Sequence, residues 1–286
     1  MVALIESPID LDANDRLARS PRPWSSIRLR NIAWWRGIVL VLTGAFFLVP
    51  LFAALRFSLE DFSGRFTFSA YTAIPSQLGF TGALSLSVRL AAVTTAITIG
   101  LMVPTAVYVH LRLPRLRPLF DSITILPIVI PPVVLIVGVL QVAPTFLKST
   151  PYLLALEYTI LAMPYVYRSL DAGLRAIDLK TLTEASRSLG GGWRTTLWRV
   201  IIPNLRTAIL SATVLTIALV LGEFTMASLD LYQTIPVWIQ QFAQDDGHVS
   251  TAVSLLALVV TWIVLMVISS LDIRRIRRMA EARRGA

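Results

Sequence analysis

The sequence predicts an all-α, polytopic membrane protein with six transmembrane helices, and three observations carry that reading. Hydrophobic residues make up 55% of the chain, charged residues only 15%, and the mean hydropathy is +0.70, far from the balance of a soluble domain. The apolar residues gather into six runs of the roughly 20 residues that a helix needs to cross about 30 Å of hydrocarbon. None of these runs alternates apolar with polar residues, as a barrel strand would.

In chain order, residues 1–33 are polar and proline-bearing and read as a cytoplasmic N-terminal segment. The first span, Trp34 to Leu55, has no small-residue cleavage site after it, so it is expected to be a retained span and not a removed signal peptide. The others run from Gly82 to Leu111, Leu119 to Val142, Tyr152 to Leu170, Leu205 to Ala227 and Thr251 to Leu271. Together they define a six-helix membrane domain over 34–271, followed by a basic cytoplasmic tail over 272–286. Pro50, Pro104, Pro127, Pro131, Pro132 and Pro164 interrupt the spans, and each removes a backbone donor and frees a carbonyl. In the third span the cluster at Pro127, Pro131 and Pro132 predicts a broken helix. Pro131 and Pro132 are candidates for the border of a translocation path, the alternative being a kink that serves packing alone.

The net charge of +9 and the pI near 10.6 would point to nucleic acid in a soluble protein, but here the basic residues sit between apolar runs. No nucleic-acid partner is expected. Of the 26 lysines and arginines, all but Arg56, Arg65, Arg89 and Lys148 fall in the N-terminal segment, the second-to-third connection, the fourth-to-fifth connection or the tail. Asp230, Asp245 and Asp246 crowd an alternate connection that has neither lysine nor arginine. Because cationic side chains are retained on the cytoplasmic side, both termini are expected there. The chain has no cysteine and two distant histidines, His110 and His248, so no metal site is expected.

One connection is much longer than two antiparallel helices need: that from Asp171 to about Arg206. Leu179, Leu182, Ala185, Ser186 and Leu189 recur at three- and four-residue steps, which predicts a short amphipathic helix with those residues on one face. Gly190 to Gly192 end it, a second short helical stretch runs from Trp193 to Ile202, and Pro203 introduces the next span. The pattern resembles the EAA loop of ABC importer permeases: Glu-Ala-Ala, three residues, Gly, nine residues, Ile, one residue, Leu-Pro. Glu184, Ala185 and Ser186 occupy the first places, Gly190 the next, then Val200, Ile202 and Pro203. Ser replaces the second Ala, Val replaces Ile and Ile replaces Leu, all small or volume-conserving changes.

The resemblance implies a type I ABC importer permease in a bacterial inner (plasma) membrane, with the loop helix seated as a coupling helix in an ATPase subunit. It implies a pair of ABC ATPase subunits, a second permease subunit (by preference a paralogue), an extracytoplasmic substrate-binding protein and the lipid bilayer as partners. The glycine run lacks the Lys-Ser/Thr of a phosphate-binding loop. No catalytic residue or cofactor is therefore expected on this chain, ATP and Mg being held by the partner. Glu223 and Glu157 are carboxylates inside predicted spans, where facing lipid would cost several kcal/mol. Glu223 belongs to a Gly-Glu-Phe stretch similar to that of the polyamine, ferric iron, molybdate and thiamine permeases, and is a candidate for the substrate path or for a helix-to-helix hydrogen bond. Glu157 is a weaker path candidate, expected near enough to the outer interface to be solvated. The loop is most similar to the polyamine (spermidine/putrescine) group, with phosphonate, thiamine, ferric iron and molybdate as alternatives. A six-span secondary transporter is a different class, but the paired midplane ionisable groups and repeat symmetry it calls for are not found.

Overall fold

A computed structural model describes residues 29–61 and 63–284, with side chains described over 34–61, 63–267 and at 270. Arg16, Arg19, Arg22 and Arg28 of the expected N-terminal segment lie outside the described residues, as do the side chains of the arginines in the tail. The described residues are helical, with a single isolated bridge between Glu60 and Phe66. Residues up to Ala53 and residues from Ala54 onward form two compact units.

Helix α1 (Leu29–Ser58) carries no polar face, and Trp34, Phe46, Phe47 and Phe52 are all exposed. A helix apolar all round is stable only in an apolar medium. The second unit holds α2 (Phe80–Arg112), α3 (Arg117–Val129), α4 (Pro132–Val142), α5 (Tyr152–Arg175), α6 (Leu179–Ser188), α7 (Arg206–Gly222), α8 (Thr225–Leu229), α9 (Ile235–Phe242) and α10 (Gly247–Arg284).

Helices α2, α5 and α7 pack on one another, and α3 leans on α5. By length and apolarity α1, α2 and α10 qualify singly as spans, and two bent pairs qualify jointly. The remaining expected span, α5, carries Glu157, Arg168, Asp171 and Arg175 and is too polar to qualify alone. Its neighbours explain this: Leu154, Ala155, Tyr158, Ala162, Val166 and Leu170 are wholly buried by protein, so one face of α5 is apolar contact with other helices and only part of it, including Leu156 and Tyr165, is exposed. Close approach at the α5–α7 crossing comes from small residues. A Cβ on Gly173 would lie 2.5 Å from the Ala208 Cβ, and the Ser169 hydroxyl donates to the Ala208 carbonyl at 2.9 Å.

The third span is broken, as its prolines predict: α3, with the turn before it, and α4 meet at 104° across Ile130 and Pro131. The fifth span departs from expectation, because its helix stops at Gly222 and does not reach Ala227. Glu223 is extended there (ψ 123°) and redirects the chain into α8. At the same end of the bundle Ser87 on α2 accepts from the Ile235 backbone N–H at 2.8 Å, and the Trp238 indole donates to the Leu78 carbonyl at 3.0 Å, anchoring α9.

Candidate coupling site

The long connection folds into two short helical pieces set on the end of the bundle. Asp178 starts α6: its carboxylate accepts from the Thr181 backbone N–H at 3.2 Å and the Thr181 hydroxyl at 2.6 Å, an N-cap that satisfies an otherwise orphan donor. Those bonds hold the Asp178 carboxyl below its ordinary pKa.

At the other end of α6 the Gly191 N–H donates to the Ser186 carbonyl at 2.8 Å and the Gly190 N–H to the Arg187 carbonyl at 2.9 Å. This is a Schellman closure, and Gly190 sits in the left-handed region it requires, at φ 78°. Gly191 is needed for a different reason: a Cβ there would lie 2.5 Å from the Ser186 Oγ and 2.7 Å from its carbonyl oxygen.

The buried face of α6 is Leu179, Thr183 and Ser186. That corrects the face read from the sequence, since Ala185 is exposed and Leu189 is 89% exposed. The cause is a polar tether that apolar periodicity cannot reveal. The Ser186 and Thr196 hydroxyls meet at 2.8 Å in a buried contact, and Thr196 also donates to the Gly192 carbonyl at 3.1 Å. Glu184 and Ala185 therefore point away from the bundle, with Lys180 lying 4.0 Å from Glu184 along the exposed side.

The second piece is not a plain α-helix. Thr196–Ile201 is a π-helical turn between the single turns Trp193–Thr195 and Ile202–Asn204. The wider turn shifts the phase so that Leu197, Ile201 and Leu205 are buried, while Val200 and Ile202 are half-buried and Pro203 is exposed. Leu197, Ile201 and Leu205 join Leu179 in one core cluster with Met102, Val103, Ala106 and Val107 of α2 and Val166, Leu170 and Leu174 of α5. Sequence reasoning missed these anchors because the pattern names their neighbours. Beyond the turn the chain bends by 75° into α7.

The remaining candidates lie elsewhere. Pro131 is exposed at the α3–α4 break. Glu223 is half-buried, and its carboxylate accepts from the Met226 N–H, 3.0 Å from each oxygen, and from the Ala227 N–H at 3.4 Å. It caps α8. Glu157 is fully buried, which corrects the expectation of a solvated position. The Asp230 and Glu223 carboxyls are its acidic neighbours. Neither Glu157 oxygen has a donor partner among the described residues, nor does Asp230 Oδ2. Neighbouring carboxyl groups held out of water repel each other when both are ionised. Burial raises the Asp230 pKa accordingly.

Residues 96–278 match the family described as "binding-protein-dependent transport system inner membrane component". The chain is 30% identical over 203 residues to the molybdenum transport system permease protein ModB of Mycobacterium tuberculosis, covering 64% of this chain and 76% of that one. It is 28% identical over 219 residues to a probable molybdenum ABC transporter permease protein of Haloferax volcanii, covering 72% and 78%. Its fold matches a chain in the crystal structure of a bacterial alginate ABC transporter in complex with an alginate pentasaccharide-bound periplasmic protein. That match has a TM-score of 0.70 at 14% identity, over 90% of this chain and 98% of that one. The chain belongs to the binding-protein-dependent transport system inner membrane component family, and it is the membrane-spanning permease subunit of an ABC importer, with a type I importer-like fold and with ATP hydrolysis carried out by a separate subunit.

Proposed function

We propose that this permease imports a small oxyanion of the molybdate type, driven by an ATPase pair docked on the exposed side of α6. The observation that carries the docking is the seating of that helix. Leu179, Thr183 and Ser186 fix it to the bundle, while Glu184, Ala185 and Leu189 remain exposed at its surface. A rigid helix presenting a small residue and an apolar side chain is suited to transmit force into a partner's cleft, which a flexible loop is not. Gly190, with its positive φ, sets the helix end, and Val200, Ile202 and Pro203 carry the chain back to the bundle. ATP and Mg are assigned to the partner subunits, which work with a second permease subunit and an extracytoplasmic binding protein. Both termini are placed on the cytoplasmic side of a bacterial inner membrane.

The molybdate reading is supported by the names of the two relatives above, whose likeness extends over about two thirds of the chain. A specific observation favours a second reading, a cationic polyamine: Glu157, Glu223 and Asp230 bring three carboxyl groups together. Pro131 and Pro132, at the α3–α4 break, are placed with Glu223 and Glu157 along the path. The test is uptake into proteoliposomes holding the complete importer and its binding protein. ATP-dependent accumulation of radiolabelled molybdate, competed by tungstate and not by spermidine, is the expected result. Accumulation of spermidine instead would transfer the assignment to the polyamine group. Uptake without any ATPase subunit would remove the importer mechanism itself.

A further inference from the structure

At the end of the bundle that carries α6, one carboxylate joins three helices. Asp171, near the C-terminal end of α5, accepts at Oδ1 from His110 Nε2 of α2 at 2.9 Å and from Arg117 Nη2, at the first residue of α3, at 3.0 Å. Its Oδ2 accepts from Arg175 Nε on the next turn of α5 at 2.8 Å. The His110 side chain is only 4% exposed and that of Asp171 17%, so water competes poorly at the His110 contact, whereas Arg117 at 29% and Arg175 at 59% are partly open to solvent. The other ring nitrogen of His110, Nδ1, lies 2.8 Å from the Ala106 carbonyl. A carboxylate with both oxygens engaged by donors from three helices fixes position as well as charge.

The location gives this geometry its consequence. Only Ala176, Ile177 and Asp178 separate α5 from α6, and Leu174 and Leu179 on either side of that elbow belong to one buried cluster. Displacement of α6 therefore acts first on the end of α5, where Asp171 sits. The alternative would be a greasy seam between α2, α3 and α5, which lets helix ends slide. Directional bonds do not, because a shift of about 1 Å takes a 2.9 Å contact beyond bonding distance.

We propose that Asp171 is a positioning residue that makes the ends of α2, α3 and α5 move as one body with α6, so that force on the coupling helix reaches the broken α3–α4 span. This rests on the coupling role proposed for α6. The groups bonded to Asp171 are His110 from α2, Arg117 from α3 and Arg175 from α5, and Asp121 of α3 with Tyr167 and Arg168 of α5 line the same cavity. The node lies apart from the Glu184 to Pro203 pattern and from Glu223, and it is composed entirely of residues outside them.

The absence of cysteine allows spin labels at chosen positions. Leu119→Cys on α3 and Lys180→Cys on α6 are both exposed. The α3–α6 distance is measured by pulsed electron resonance, in the isolated chain and in the assembled importer with and without ATP. The expected result is one narrow distance, unchanged by ATP. With Asp171→Asn the distribution should roughly double in width, and ATP should shift it, since α6 then moves without α3. In an otherwise wild-type chain Arg117→Lys should keep the narrow distance, and Arg117→Met should broaden it. A wild-type distance that changes on ATP binding, or an Asp171→Asn distribution no broader than wild type, overturns the proposal. If Asp171→Asn does not assemble, His110→Phe supplies the same comparison. Failure of ATPase subunits to bind the wild-type chain would count against the coupling reading alone, because the width in the isolated chain still reads the node.

Discussion

Ser186 and Thr196 meet hydroxyl to hydroxyl at 2.8 Å across the glycine turn, fastening the coupling helix to the π-helical turn that follows it. A net hydrogen bond of this kind contributes about 0.5–1.5 kcal/mol. Ser186→Ala and Thr196→Val should each lower the unfolding free energy of the purified chain by about 1 kcal/mol, with the double variant costing less than the sum. Additive losses would mean that the hydroxyls do not act on each other.

The three glycines should rank by mechanism. Gly190→Val places a β-branched residue at φ 78°, with a local cost of about 1–3 kcal/mol. Gly191→Ala meets the Ser186 carbonyl oxygen at 2.7 Å, a backbone atom that cannot step aside. Gly192→Ala has open space and an ordinary φ of −76°. ATP-dependent uptake should be largely lost in the first two and kept in the third, at equal membrane levels of all three. Full uptake with Gly190→Val and Gly191→Ala would take the loop out of the coupling role.

At the α5–α7 crossing, Gly173→Ala brings two Cβ atoms to 2.5 Å and should destabilise the bundle by about 1–3 kcal/mol, the usual range for overpacking. Ala208→Gly in the same chain removes the opposing atom and should recover most of the loss. Thermal unfolding in detergent reads both. No recovery in the double variant would place the strain elsewhere.

The Glu157–Asp230 pair makes stability depend on pH in a definite direction. Burial raises Asp230, so the folded chain holds a proton that the unfolded chain releases. That stabilisation is complete below the ordinary aspartate value of ~3.9 and is lost as pH rises through the elevated folded value. Asp230→Asn removes one of the two carboxyls and should flatten the decline. Unfolding temperatures measured upward from pH 4 that fall in parallel for both proteins would remove the pair as the source.

The local character of the chain was legible in its sequence, because it depends on residues that are close along it. Apolar runs of span length, three prolines within one of them and a glycine run after a short amphipathic stretch gave the helices, the α3–α4 break and the end of α6 at Gly190. Tertiary structure decided how those helices use their surfaces. Hydropathy treats burial in lipid and burial in protein alike, so it could not distinguish α5, packed against α2, α3 and α7, from α1, whose large apolar side chains are exposed. Apolar periodicity ranked Ala185 and Leu189 above Thr183 because it cannot weigh a hydroxyl bond made ten positions along the chain. Glu157 looked solvated near a helix end, and only the packing of the helices buries it. His110 and Asp171, 61 positions apart, carried no signal at all, since a polar contact between helices leaves no local pattern and exists only where the packing brings its two ends together.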